Sequence, residues 1–168
     1  MATPAPDAWL RGPIAGIPAL LQPAAHAFVL AREDVDTATS GLSHEQLWSR
    51  PNGITPLGFH LAHLAGATSR LMTYATGQPL SDAQKAFLLK ERAVMDTKPQ
   101  LSNLLHDWYA AYDAAMAQLA ATPEASLAEV RTIGKAQLPT SVIGAIFHAA
   151  EHAARHTGQI VTTAKLVR

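Results

Sequence analysis

Apolar residues recur with helical spacing in four long stretches of this chain, and Pro- and Gly-rich breaks separate them. Leu20, Ala24, Ala27, Val29, Ala31, Val35 and Ala38 predict a helix from about Ala19 to Thr39, ended by Gly41 as the residue past its C-cap. Ser43 to Trp48 reads as a short helical turn capped by Ser43. The Pro51-Asn52-Gly53 loop follows, and Thr55-Pro56 then predicts an N-cap with Pro at the first helical position. The second long helix runs to about Thr76, where Gly77-Gln78-Pro79 stops it. Ser81 and Gln84 form a capping box for a shorter helix to about Val94, and Asp96 to Pro99 reads as a turn.

The third long helix spans about Pro99 to Ala121, with Leu101, Leu104, Leu105, Trp108, Ala111, Tyr112, Ala115 and Leu119 on one face. Thr122-Pro123 restarts the chain in a short helical or irregular piece, and Gly134 to Pro139 reads as a link. The last helix runs from about Thr140 to Leu166. No stretch sustains a period-two alternation, so the chain reads as all-α: a four-helix bundle with short connecting helices. It reads as one domain over residues 1–168, with residues 1–12 an irregular N-terminal arm.

Composition narrows the function. Ala is about a fifth of the 168 residues, in keeping with helix. Thirteen Lys+Arg balance thirteen Asp+Glu, which argues against a nucleic-acid partner, since duplex binding needs surplus cations. Gly12 to Ala31 carries no charged side chain, but Pro13, Pro18 and Pro23 break it, so neither a membrane span nor a signal peptide is expected. The expectation is a soluble, cytoplasmic protein without a membrane partner. Cysteine is absent, which excludes a Cys nucleophile, a disulfide framework and thiolate metal sites together.

Histidine is the chemical signal. Five of the eight lie in two clusters, His60-x2-His63 and His148-x3-His152-x3-His156. Residues four apart stack on one helix face, about 6 Å apart in rise, and two such imidazoles can grip one ion. His148 and His156 are about 12 Å apart along the axis. The pair is therefore His148/His152 or His152/His156, and a third ligand would come from His60 or His63 if the two helices pack together. Three imidazoles with open positions is a catalytic pattern, whereas structural zinc sites are usually closed by four protein ligands. A lone helical His is ordinarily only a packed polar group, and the zincin Glu is missing between these pairs.

The segment His148-Ala-Ala-Glu-His152-Ala-Ala-Arg-His156-Thr-Gly-Gln159 resembles the C-terminal signature of the DinB-like (YfiT-like) metalloenzyme family, and Gly58-Phe-His60-Leu-Ala-His63-Leu-Ala-Gly66 resembles its helix-two signature. Trp9-Leu-Arg-Gly-Pro, Leu20-Leu21-Gln22-Pro23 and Leu47-Trp48 extend the similarity over nearly the whole chain. The resemblance implies an up-down-down-up four-helix bundle, frequent homodimers, and His63, His152 and His156 as metal ligands. It implies a divalent metal, with Ni or Zn foremost and Fe, Mn or Co as alternatives. His60 and His148 are extra to that triad and, with Gln159 and Arg155, are candidates for supporting it. Glu151 and Arg155 are four apart and read first as a surface ion pair. Gly158 suggests close approach of another backbone.

Two reactions fit such a site. In one, a low-molecular-weight thiol cofactor attacks a small electrophilic substrate. In the other, metal-activated water hydrolyses a substrate. The absence of Cys favours the first, because the thiol then comes from the cofactor. The rival from another class is a non-catalytic metal-binding stress-response bundle, marked by a closed site with a fourth protein ligand. Because ligation needs neutral imidazoles, metal binding is expected to weaken as pH falls through about 6.5.

Overall fold

The computed structural model describes residues 6–168. The chain is mostly helical. Its long helices are α1 (Gln22–Thr39), α3 (Leu57–Ala75), α6 (Leu101–Ala121) and α7 (Val142–Val167), with the shorter α2 (His44–Trp48), α4 (Asp82–Arg92) and α5 (Val94–Thr97) between them. Helix α3 packs on both α6 and α7, and α1 packs on the same two partners. The core lies among these four, with Phe28, Leu61, Leu64, Trp108, Leu119, Ile146 and Ile160 almost completely buried. No helix among the described residues is long and apolar enough to cross a membrane.

Local chemistry explains most boundaries. Gly41 follows α1 with φ +73°, the left-handed conformation glycine adopts most cheaply. Helix α4 opens with a capping box: the Gln84 backbone N–H donates to Ser81 Oγ and the Gln84 side chain accepts from the Ser81 N–H. Helix α2 opens with the same device on Ser43 and Gln46. Along α7 the buried face is largely small, with Ala145, Ala149, Ala150 and Ala153, so neighbouring helices can approach closely where the histidines sit.

Four expectations need correction. The piece before Gly134, the Gly134–Pro139 link and the expected helix start at Thr140 give way to a hairpin: β1 (Val130–Ile133) and β2 (Leu138–Ser141) pair antiparallel, Val130 opposite Ser141 and Ile133 opposite Leu138. The strands are four residues each, too short for alternation to stand out, and the hairpin is pinned by Arg131, whose Nε donates to the Ala75 carbonyl at the end of α3. Helix α3 begins at Leu57 with Pro56 as N-cap, one residue later than expected, and no side chain caps it. Asp96 lies in α5 rather than in a turn. The α1 stripe holds at Ala24, Ala31, Val35 and Ala38, but Phe28 joins the core, Val29 is only half-buried, and Leu20 is exposed in a 3₁₀ turn before the helix.

Part of the expected N-terminal arm, residues 1–5, lies outside the described residues. The rest is tied down. Ala8–Leu10 form a 3₁₀ turn, Arg11 makes a two-bond fork with Glu33, and Gln22 exchanges hydrogen bonds with the Ile14 backbone.

Candidate metal centre

Helices α3 and α7 lie side by side and bring the two histidine clusters together. One ring nitrogen from each of His63, His152 and His156 lies within 4.8 Å of the other two. The ring centroids are 4.5 Å apart for His63–His156 and His152–His156, and 5.1 Å for His63–His152. His63 Nε2 and His152 Nε2 stand 3.4 Å apart. Two nitrogens each bound at 2.0–2.1 Å across a tetrahedral angle would be separated by about 3.3–3.4 Å. Buried His152 Nδ1 has no hydrogen-bond partner. The donor set and this spacing therefore fit a divalent ion. No fourth donor joins the group among the described residues, which departs from the closed structural pattern.

His148 is not brought into the group. Its ring packs edge-on to His152 with centroids 5.8 Å apart, while its Nδ1 lies 3.4 Å from Glu151 and its side chain is half exposed. His60 is buried, and its Nδ1 meets His156 Nδ1 at 3.1 Å. Arg155 is exposed and paired with Glu151, as the surface reading expected. Gln159 is exposed at the helix surface. Gly158 does not mark a close approach: a Cβ there would meet nothing within 4 Å.

Sequence reasoning missed Glu91 and Arg70. Glu91, on α4, is buried, and His63 Nδ1–H donates to its Oε1 at 2.7 Å. Arg70, two helical turns beyond His63 on α3, donates to Glu91 Oε2 at 2.8 Å. The only signal available was weak: Arg70 is the one charged residue in α3, an apolar helix with little reason to carry a cation unless it is paired. Phe59, one turn before His63, lies nearly parallel to its ring, 5.8 Å between centroids.

The electrostatics follow from burial and crowding. Burial, then the neighbouring imidazoles, pushes His152 down to about 4 and His156 down to about 3. Burial and His63 lower His60 as well. The proton competition expected near pH 6.5 is thus displaced to lower pH for two of the three imidazoles. Burial works to raise Glu91, but hydrogen bonds from His63 and Arg70 outweigh it and hold the carboxyl below its ordinary range. Glu91 is therefore an anion and an acceptor.

Two clefts lie on the α4 side. One, of about 280 Å³, is lined by Gly66, Ser69, Arg70, Gln84, Phe87 and Asp107 among others. The other, of about 670 Å³, is lined by Ala62, Phe87, Lys90, Glu91, Asn103 and His106 among others. Neither is lined by the three clustered imidazoles; of these, His63 reaches solvent, its side chain being 25% exposed.

Fold and site define a helical protein with an open three-imidazole cluster of the kind metalloenzymes use. A family model described as Mycothiol-S-transferase matches residues 25–163, and the chain belongs to this family, within the DinB/YfiT-like superfamily. No match was found among curated proteins.

Proposed function

We propose that this chain is a divalent-metal-dependent enzyme that transfers a low-molecular-weight thiol to a small electrophilic substrate, with His63, His152 and His156 as the metal ligands. The convergence of these three imidazoles, with no fourth His, Cys, Asp or Glu joining them among the described residues, carries the reading. Membership of a family described as Mycothiol-S-transferase supports the reaction class and names mycothiol as the first thiol to test. The chain has no cysteine, so the nucleophilic sulfur must be the cofactor's.

A divalent ion at the three histidines would supply Lewis acidity that lowers the pKa of a coordinated thiol. The chain's own residues keep the site ready for it. Burial holds His152 and His156 neutral at physiological pH, with lone pairs available. His60 and His156 share one proton between their Nδ1 atoms, which restrains the His156 ring. In the transfer, the sulfur forms a bond to the electrophilic carbon. The leaving group departs with its electron pair, and the thiol proton passes to solvent.

The proposal extends to architecture and setting: one up-down-down-up four-helix bundle domain over residues 1–168, Ni or Zn as the ion with Fe, Mn or Co as alternatives, and a cytoplasmic homodimer. The mutual packing of α1, α3, α6 and α7 supports the bundle, and the low share of charged residues, 15%, supports self-association. The test is metal content by mass spectrometry on tag-free protein, with His63→Ala, His152→Ala and His156→Ala alongside. Thiol conjugation is then assayed with mycothiol and a panel of electrophiles. About one ion per chain, lost in each variant, with conjugation that needs both metal and thiol, is expected. No bound ion after reconstitution, or binding unchanged in the variants, would overturn the site. A metal-loaded protein inactive with every thiol would overturn the reaction.

A further inference from the structure

Glu91 sits in a seat that the sequence of α3 has to clear for it. It comes from α4, outside both histidine clusters, and one oxygen accepts from His63 Nδ1 while the other accepts from Arg70. A Cβ on Gly66 would lie 2.3 Å from Glu91 Oε2, 2.7 Å from Arg70 Nη1 and 2.9 Å from the Phe87 ring. Two of those atoms are the ends of flexible side chains that can move, but moving them pulls the Glu91–Arg70 pair from this position, and the third belongs to the Phe87 ring. Glycine at 66 leaves the space in which Glu91 and Arg70 meet against α3. Gly66 lies three residues beyond His63, and Arg70 a further four, so all three share one side of the helix.

A buried anion beside His63 decides its tautomer. A carboxylate can only accept, so Nδ1 carries a proton, and in the neutral ring Nε2 then keeps its lone pair. Nε2 is the atom found 3.4 Å from His152 Nε2. Without Glu91, His63 in water would favour neither this tautomer nor this ring orientation strongly. Arg70 keeps the carboxylate charged and stops it from rotating away.

We infer that Glu91, clamped by Arg70 in the space left by Gly66, is a positioning residue that fixes the Nδ1–H tautomer of His63 and so presents its Nε2 to a metal ion. The inference rests on the metal-site reading above, but its first consequence, the tautomer, does not need the ion. It makes α4 part of the metal centre, although α4 supplies no ligand. Groups supporting a metal-bound imidazole in this way are typically worth about 10–100-fold in metal affinity.

The test has two readouts. Long-range ¹H–¹⁵N spectra of metal-free protein report the His63 tautomer, and competition with a chromophoric chelator reports Zn²⁺ and Ni²⁺ affinity. Wild type is expected in the Nδ1–H form. Glu91→Ala is expected to lose it and to bind both ions about 10–100-fold more weakly, with helical circular dichroism unchanged. Glu91→Gln, which keeps an acceptor oxygen, should retain the tautomer and most of the affinity. Gly66→Ala, which touches no ligand, should weaken binding in the same direction as Glu91→Ala. Removing Glu91 leaves Arg70 buried alone, so if Glu91→Ala does not fold, the wild-type tautomer and the Glu91→Gln comparison decide the matter. An Nε2–H tautomer in wild type, or unchanged affinity in a folded Glu91→Ala protein, overturns the inference. A wild type that binds neither ion but shows the Nδ1–H tautomer overturns the metal reading and leaves the positioning of His63 intact.

Discussion

The Nδ1 atoms of His60 and His156 face each other at 3.1 Å, so one proton must lie between two imidazoles that burial keeps neutral. If His156 gives Nε2 to a metal, its Nδ1–H donates to His60, which then carries its own proton on Nε2. His60 thereby acts through His156 rather than on the ion.

This predicts a graded effect along the histidines. His60→Ala should keep about one ion per chain but weaken its binding roughly tenfold, the usual cost of losing a group that supports a ligand. His148→Ala should leave affinity within about twofold, because its ring packs at the edge of His152 and its nitrogen faces Glu151. Chelator competition checks both. Loss of stoichiometry in His60→Ala would make it a ligand instead.

The depressed imidazoles also govern acid stability of the metal-free protein. His152 and His156 hold protons only near pH 4 and 3 when folded, but near 6.5 when unfolded. Between those limits the unfolded chain binds more protons, so stability rises with pH from about 3 and levels off above about 6.5. Urea midpoints measured across pH 4–8 in the presence of a chelator check this. His152→Ala should flatten the slope.

Metal loading should raise the melting temperature. An ion present at about a thousand times its dissociation constant adds about 4 kcal/mol, which for a domain of this size is on the order of 10 °C. Scanning calorimetry with and without Zn²⁺ measures it. In His63→Ala the ion-dependent shift should vanish.

Two glycines should respond in opposite directions. A Cβ on Gly58 would lie 2.7 Å from the Trp48 ring, and Trp48 cannot yield easily, being buried with its Nε1 donating to the Pro99 carbonyl. Gly58→Ala should destabilise by about 1–3 kcal/mol, the cost of overpacking. Gly158 lies inside α7 with open space around it, so Gly158→Ala should stabilise by about 0.4–1 kcal/mol. Denaturant unfolding of both variants checks the pair.

Periodicity and caps determined much of this protein before any packing was known. The long helices, the Ser81–Gln84 capping box and the Gly41 terminus are set by interactions within a few residues, and such interactions are written in local sequence. Four-residue spacing likewise put His152 on one face with both His148 and His156, and motif resemblance chose His156 as its partner. Motif resemblance then chose between His60 and His63, which spacing alone left open. The hairpin escaped notice because two four-residue strands owe their existence to each other and to the anchoring of Arg131 on α3. The burial of Phe28 rather than Val29 on α1 depended on which neighbours the helix met. Above all, only the tertiary structure could place Glu91 against His63, 28 residues earlier in the chain. Its burial is stable because Arg70 neutralises it and Gly66 leaves it room, and both conditions exist only once α4 lies against α3.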